Sequence, residues 1–222
     1  MQFDITIVFE YIPFLLEAAL LTIEISILAI LVSIIVGLII AFFKISKFRI
    51  LQKISDFYIE MIRGVPLLVQ LYVIYFGLPQ IGIEFDAFTA SVLGLGFYAA
   101  SYVAEIFRGS IQAIPFGQME AARSLGMSYF KAMEKVILPQ ALRHSLPPLG
   151  NQFIITLKNS SLCSVITANE LMHSTSRFAS VNFAFLEFLL VASVIYFVMT
   201  FTISKLVNLM ERKLSVGERR SL

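Results

Sequence analysis

Glu105, Lys158 and Glu187 are ionisable residues set in long apolar runs, and Gln70, Asn159, Ser160 and Ser161 add amides and hydroxyls inside other apolar segments. Such groups are costly in hydrocarbon and face either a bundle interior or a water-filled path. The chemistry they suit is the binding and passage of a polar solute. The run Lys158-Asn159-Ser160-Ser161 also permits a broken helix whose backbone lines a cavity. A structural hydrogen-bond network between helices is the other use of the same residues. Glu105 and Glu187 each have Lys158 or Arg108 as a candidate partner, and the sequence leaves that pairing open. Bond-making chemistry has no motif to support it. The chain lacks a G-x-x-x-x-G-K-[ST] phosphate loop, HExxH, CxxC and G-x-S-x-G, and His144 and His173 are isolated in sequence, so neither ATP hydrolysis nor a metal site is expected.

The elements that must hold these residues are membrane spans. Of 222 residues, 58% are hydrophobic and 14% charged, with a mean hydropathy of +0.85. A soluble domain carries about 25% charged residues and could not cover so much apolar surface, which makes lipid the natural solvent. A net charge of +2 without a basic stripe argues against nucleic acid. The single Cys163 excludes an internal disulfide. Asp4 and Glu10 take the place of a basic n-region, so no cleavable signal peptide is expected.

Five apolar segments are read as spans, at about 12–43, 57–78, 87–107, 146–166 and 183–203. The charge-free part of the first, Ile25 to Phe43, has 19 residues and would cross roughly 28 Å as a helix. Lys44, Lys47, Arg49 and Lys53 fill the first loop, Arg108, Arg123, Lys131, Lys135 and Arg143 the third, and Lys205, Arg212, Lys213, Arg219 and Arg220 the C-terminus. The other side shows no basic residue in the N-terminal stretch or at Gln80–Phe85, and only Arg177 in the last outer loop. The expectation is an all-α polytopic membrane protein with five transmembrane helices, N-terminus outside and C-terminus cytoplasmic.

Within the spans, Gly96, Ala100 and Ala104 form a stripe of small residues suited to close helix packing. Pro66 predicts a kink in the second span, near Asp56, Glu60 and Arg63, and Pro147 and Pro148 sit at the entry of the fourth. Glu17 and Glu24, one heptad apart, are expected at the interface with water.

A polar island from Gly109 to Arg143 separates the third and fourth spans. Gly117 to Leu125 reads as a short helix, and Gly126 fits a left-handed C-cap. Ser128 caps a second helix of about Tyr129 to Ile137, which Pro139 limits. Ala121, Ala122, Leu125, Met127, Tyr129 and Phe130 crowd small and aromatic surface around the turn. Free in water this surface has no use; as a knob in the groove of a soluble partner it does.

The order Glu120-Ala121-Ala122, Gly126, Val136 and Leu138-Pro139 resembles the EAA loop of ABC importer permeases, with valine for the usual isoleucine at 136. The flanks resemble the polar amino acid (histidine/glutamine/arginine type) subfamily. They are Glu60-Met-Ile-Arg63-Gly64-Val65-Pro66-Leu-Leu-Val-Gln70, Tyr102-Val-Ala-Glu105-Ile-Phe-Arg108-Gly109, Ala113-Ile-Pro115-Phe-Gly117-Gln118, Gln140-Ala-Leu-Arg143, Pro147-Pro-Leu-Gly150-Asn151 and Lys158-Asn-Ser-Ser-Leu162. The subfamily more often has aspartate and threonine where Asn159 and Ser160 stand, and threonine for Val65. The resemblance covers residues 17–209, taken as one type-1 transmembrane domain with a coupling loop at 109–143.

The resemblance implies a permease subunit, itself no enzyme, in a bacterial cytoplasmic (inner) membrane. It implies a partner ATP-binding subunit in two copies, which holds ATP and Mg²⁺. It also implies a second permease chain (a homodimer or a paralogue), an extracytoplasmic substrate-binding protein, surrounding membrane lipid, and a polar amino acid substrate. Glu120, Ala121, Ala122, Gly126, Leu138 and Pro139 would form the coupling surface. Gln70, Glu105, Lys158, Asn159, Ser160 and Ser161 are the pathway candidates, and the acids in the spans favour a cationic amino acid. Two other classes compete: a membrane enzyme using Glu105, Lys158 or Glu187, and a scaffold or regulatory subunit whose loop binds a soluble partner.

Overall fold

A computed structural model describes residues 3–219, with side chains through residue 211. Of the basic residues counted toward topology, Arg220 lies outside the described residues, as do the side chains of Arg212, Lys213 and Arg219. All regular elements among the described residues are helical.

A 3₁₀ turn, Ile5–Tyr11, is opened by Asp4, whose carboxylate accepts from the Thr6 N–H at 2.9 Å. It leads into α1 (Ile12–Ile45), which packs along α4 (Ala87–Gln112). The small stripe sits in this seam. A Cβ on Gly96 would lie 2.8 Å from Val32 Cγ1, and one on Gly37 would lie 2.7 Å from Val103 Cγ1. Lipid tails are as apolar as valine, so the seam is held by this close van der Waals approach rather than by exclusion of water.

The expected kink at Pro66 is a break. α2 (Arg49–Gly64) and α3 (Leu67–Tyr72) meet at Val65-Pro66, and the two arms diverge by 99°. Pro66 cannot donate to the α2 ladder, and Val65 is extended at φ −106°, ψ 129°. The carbonyls freed near the break are met by one side chain. Gln70 Nε2 donates to Ile62 O and to Val65 O, both at 2.8 Å. A π-turn (Val73–Gly77) and a 3₁₀ turn (Leu78–Ile81) then carry the chain to α4, which Asp86 caps.

Among the described residues, three helical stretches are long and apolar enough to cross a membrane: Ile5–Ile45, Ala87–Gln112 and Phe185–Glu211. The bent pair Arg49–Gly64 and Leu67–Ile81 makes a fourth if counted as one span. The expected fourth segment, 146–166, is not a helix of its own. It is the end of α7 (Leu138–Asn159) followed by a 3₁₀ turn, Ser160–Ile166. Its polar residues keep α7 below the hydropathy of a spanning helix, and Pro147 and Pro148 lie inside it rather than at its entry. The second helix of the polar island does not stop at Pro139 either. α6 (Tyr129–Ala132) passes through a π-turn (Met133–Ile137) into α7, where Pro139 occupies the first turn and needs no N–H partner.

The segment read as the last outer loop is largely α8 (Leu171–Asn182). Glu170 caps it, accepting from the N–H groups of Met172 at 2.9 Å and His173 at 2.7 Å. The fully buried Glu170 also accepts from Tyr196 Oη at 3.0 Å, which ties α8 to α9 (Phe185–Arg219). The Leu171 N–H donates to Thr22 Oγ1 at 3.0 Å and fastens the same corner to α1.

Candidate coupling surface and solute pathway

The island folds as helix, turn, helix. α5 (Phe116–Ser124) ends at Leu125, and Gly126 takes φ +81°. The Gly126 N–H donates to Arg123 O at 3.0 Å and the Met127 N–H to Ala122 O at 3.2 Å. This paired closure satisfies the last carbonyls of α5 and requires a left-handed residue between them. Ser128 then caps α6, its Oγ accepting from the Lys131 N–H at 3.4 Å. Beneath the turn, Ile114, Ile137 and Ala141 form a buried cluster with Ile111, Met119, Met133 and Val136 packed against it.

That footing divides the EAA residues by role. Ala122 is buried toward the chain, whereas Glu120 and Ala121 are exposed. Leu125, Phe116 and Phe130 stand out at 81%, 75% and 82% exposure. The turn stands on a buried footing and presents apolar surface that nothing among the described residues covers. Leu138 is half-buried and Pro139 exposed where the island joins α7.

The pathway candidates do not converge. Gln70 spends its amide on the α2–α3 break. Glu105 lies in an ion network, 3.2 Å from Lys44 Nζ and 2.6 Å from Arg108 Nη2, while Lys44 also reaches Asp56 at 2.7 Å. Of its two candidate partners, Glu105 therefore takes Arg108, and Lys44 joins from α1. Glu187 pairs with neither and accepts from the Asp4 N–H at 3.1 Å. Ser160 and Ser161 donate back to Leu157 O and Lys158 O. Lys158 is exposed, with no ion-pair partner among the described residues, and Asn159 is half-buried. Asn151, Ile155 and Lys158 share one exposed face of α7, spaced by four and three residues.

An aromatic cluster escaped the sequence reading. The Arg63 guanidinium lies 4.3 Å from the Tyr102 ring centre and donates to Ser101 O at 2.6 Å. The Tyr98 and Tyr102 hydroxyls are 3.1 Å apart, and Tyr58 Oη donates to Phe97 O at 2.7 Å. The i, i+4 spacing of Tyr98 and Tyr102 is visible in the sequence, but the packing of α2 on α4 that brings Arg63 to them is not. No group of three or more His, Cys, Asp or Glu side chains among the described residues is placed to hold a metal ion.

Residues 29–216 match the family model described as binding-protein-dependent transport system inner membrane component. The chain is 37% identical over 219 residues to the arginine transport system permease protein ArtQ of Bacillus subtilis, covering 98% of this chain and 100% of that one. It is 37% identical over 218 residues to the glutamine transport system permease protein GlnP of Escherichia coli K12, covering 97% and 100%. Among solved structures it resembles a crystal structure of an amino acid ABC transporter with histidines, at a TM-score of 0.91 and 44% identity over 96% of this chain and 100% of that one. It also shares the fold of an inward-facing MetNI methionine ABC transporter, at a TM-score of 0.69 and 18% identity over 88% and 95%.

Proposed function

The chain belongs to the binding-protein-dependent transport system inner membrane components, and from that membership we propose that it is the permease subunit of an ATP-driven amino acid importer, coupled to its ATPase through the Glu120–Phe130 knob. The observation that carries the coupling role is the exposed turn at Leu125-Gly126. Its backbone closure and buried footing fix its shape, yet its apolar tip is left exposed by the described residues.

In this reading residues 17–209 form one transmembrane domain with five crossings, N-terminus outside and the 109–143 loop in the cytoplasm. α7 and its 3₁₀ extension make the polar fourth crossing, with Asn151 and Lys158 turned toward a second permease chain and the path between the two. ATP and Mg²⁺ reside on two copies of the partner ATPase, and an external binding protein delivers the solute. The arginine and glutamine named for relatives, and the histidines of the solved transporter, support a polar amino acid, with a basic one included. Glu105 and Glu187 are engaged inside the chain, so a preference for cations would have to arise elsewhere.

The test is a gentle detergent pull-down of the tagged chain from its host, with mass spectrometry of what accompanies it, followed by reconstitution into vesicles. A stoichiometric subunit bearing a phosphate loop, and amino acid uptake that requires ATP, are expected. A partner without a phosphate loop, and no ATP-dependent flux, would favour the scaffold reading.

A further inference from the structure

A groove of about 710 Å³ opens between the end of α1 and the coupling loop, walled by Phe42, Phe48, Tyr129, Phe130 and Leu138. α1 is a membrane-crossing helix and its last turn forms one wall, so the groove lies where hydrocarbon gives way to headgroups. Leu31, Ile35, Ile39 and Phe42 are exposed and recur every three or four residues. They form one apolar stripe on α1 that runs directly into the groove. At the rim, Lys47 Nζ sits 5.6 Å from the Tyr129 ring centre and has no carboxylate within ion-pair distance among the described residues. The one acid in the lining, Glu134, is already held by Lys135 at 2.7 Å. Phe48 and Phe130, 72% and 82% exposed, flank this cation.

We infer that this groove binds an anionic phospholipid. A phosphodiester sits at Lys47, the Phe48 ring lies at the headgroup level, and an acyl chain follows the stripe from Phe42 toward Leu31. Charge and shape agree on this occupant. A zwitterionic headgroup brings its own ammonium beside the phosphodiester and would compensate Lys47 only in part, and a soluble protein would not continue along α1 into the hydrocarbon. The inference needs the membrane placement of α1 and does not depend on ATPase docking at Gly126.

The chain contains no tryptophan and eight tyrosines, so Phe48→Trp gives a single tryptophan in the groove that can be excited apart from the tyrosines. The full chain carrying it is reconstituted in phosphatidylcholine vesicles holding a small fraction of brominated phosphatidylglycerol or, separately, brominated phosphatidylcholine. Quenching by the anionic lipid is expected to exceed that by the neutral lipid about fivefold, the enrichment one basic residue gives near an anionic headgroup. Lys47→Glu in the same background is expected to remove the difference and Lys47→Arg to keep it. Equal quenching by the two lipids, or a difference that survives Lys47→Glu, overturns the assignment. Quenching by neither lipid means that protein covers the groove, and overturns it as well. Co-purification of the ATPase is scored separately, so failure of the coupling reading is distinguishable from failure of this one.

Discussion

Lys44 Nζ and Glu105 Oε1 lie 3.2 Å apart across the seam between α1 and α4. Asp56 on α2 and Arg108 on α4 complete the set, so one network joins three elements just before the coupling loop. Both Lys44 and Glu105 are about a quarter exposed, and each side chain's charge is balanced mainly by the others. Glu105→Gln leaves two cations underpaired and is expected to lower stability by about 1–3 kcal/mol. The exchange Lys44→Glu with Glu105→Lys is not expected to recover the loss, because it sets like charges against Asp56 and Arg108. Thermal melting of the purified permease checks both; equal stability of the single variant and the parent would remove the network from the stabilising contacts.

Gly126→Val is expected to uncouple the transporter while the permease still inserts. A Cβ at position 126 would meet no atom within 4 Å, so the penalty is backbone alone, at φ +81°. A β-branched residue there costs about 1–2 kcal/mol and opens the closure on Ala122 and Arg123. Gly126→Asn tolerates the left-handed region and should retain more activity. The readouts are substrate-stimulated ATP hydrolysis and uptake in the reconstituted complex. Unchanged values for the valine variant would show that the turn does not carry the coupling.

Gly37→Ala tests the α1–α4 seam. The added carbon would lie 2.7 Å from Val103 Cγ1 and 3.1 Å from Ala100 O, and neither a β-branched side chain nor a backbone oxygen can easily withdraw. Overpacking of this kind costs about 1–3 kcal/mol. A fall in melting temperature is expected, whereas an unchanged one would mean that the two helices separate at little cost.

Burial pushes the Glu170 carboxyl up from 4.5 to about 7, against the N–H groups of Met172 and His173 and the Tyr196 hydroxyl, all of which favour the charged form. The folded chain therefore prefers Glu170 protonated. Its contribution to stability is complete below pH 4.5, declines as pH rises through about 7, and is level above that. Glu170→Gln keeps an acceptor for the α8 cap and for Tyr196 and should flatten this part of the profile. Melting temperatures of parent and variant between pH 4.5 and 8 provide the comparison; parallel profiles would assign the pH dependence to other groups.

The sequence already carried the all-helical class, the Gly126 turn, the Ser128 cap and the small-residue stripe. Each is written in local spacing or in the backbone preference of one residue. What it hid depends on distant partners. Gln70 reads as a polar residue in a span, and only the break at Val65-Pro66 shows why its amide is needed. Lys44 reads as a loop charge, although its carboxylates come from α2 and α4. α8 is short, with polar and small residues mixed among the apolar ones, so its sequence resembles a connecting loop. α7 conceals its continuity behind three prolines, because composition does not tell a helix that runs through proline from one that ends there.

The two arms that hold the Gly126 turn differ in stiffness. α4 runs unbroken from its Asp86 cap to Gln112, with no proline or π-turn, as a rod about 39 Å long. On the other side α6 gives way to a π-turn, Pro139 opens α7, and Pro147 and Pro148 remove two more internal donors. In the proposed coupling role, a push that reached α4 would be carried along it as a displacement, whereas along α7 it would be taken up as bending. The two sides of the loop would then move unequally under one load, and the difference between them would be a rotation.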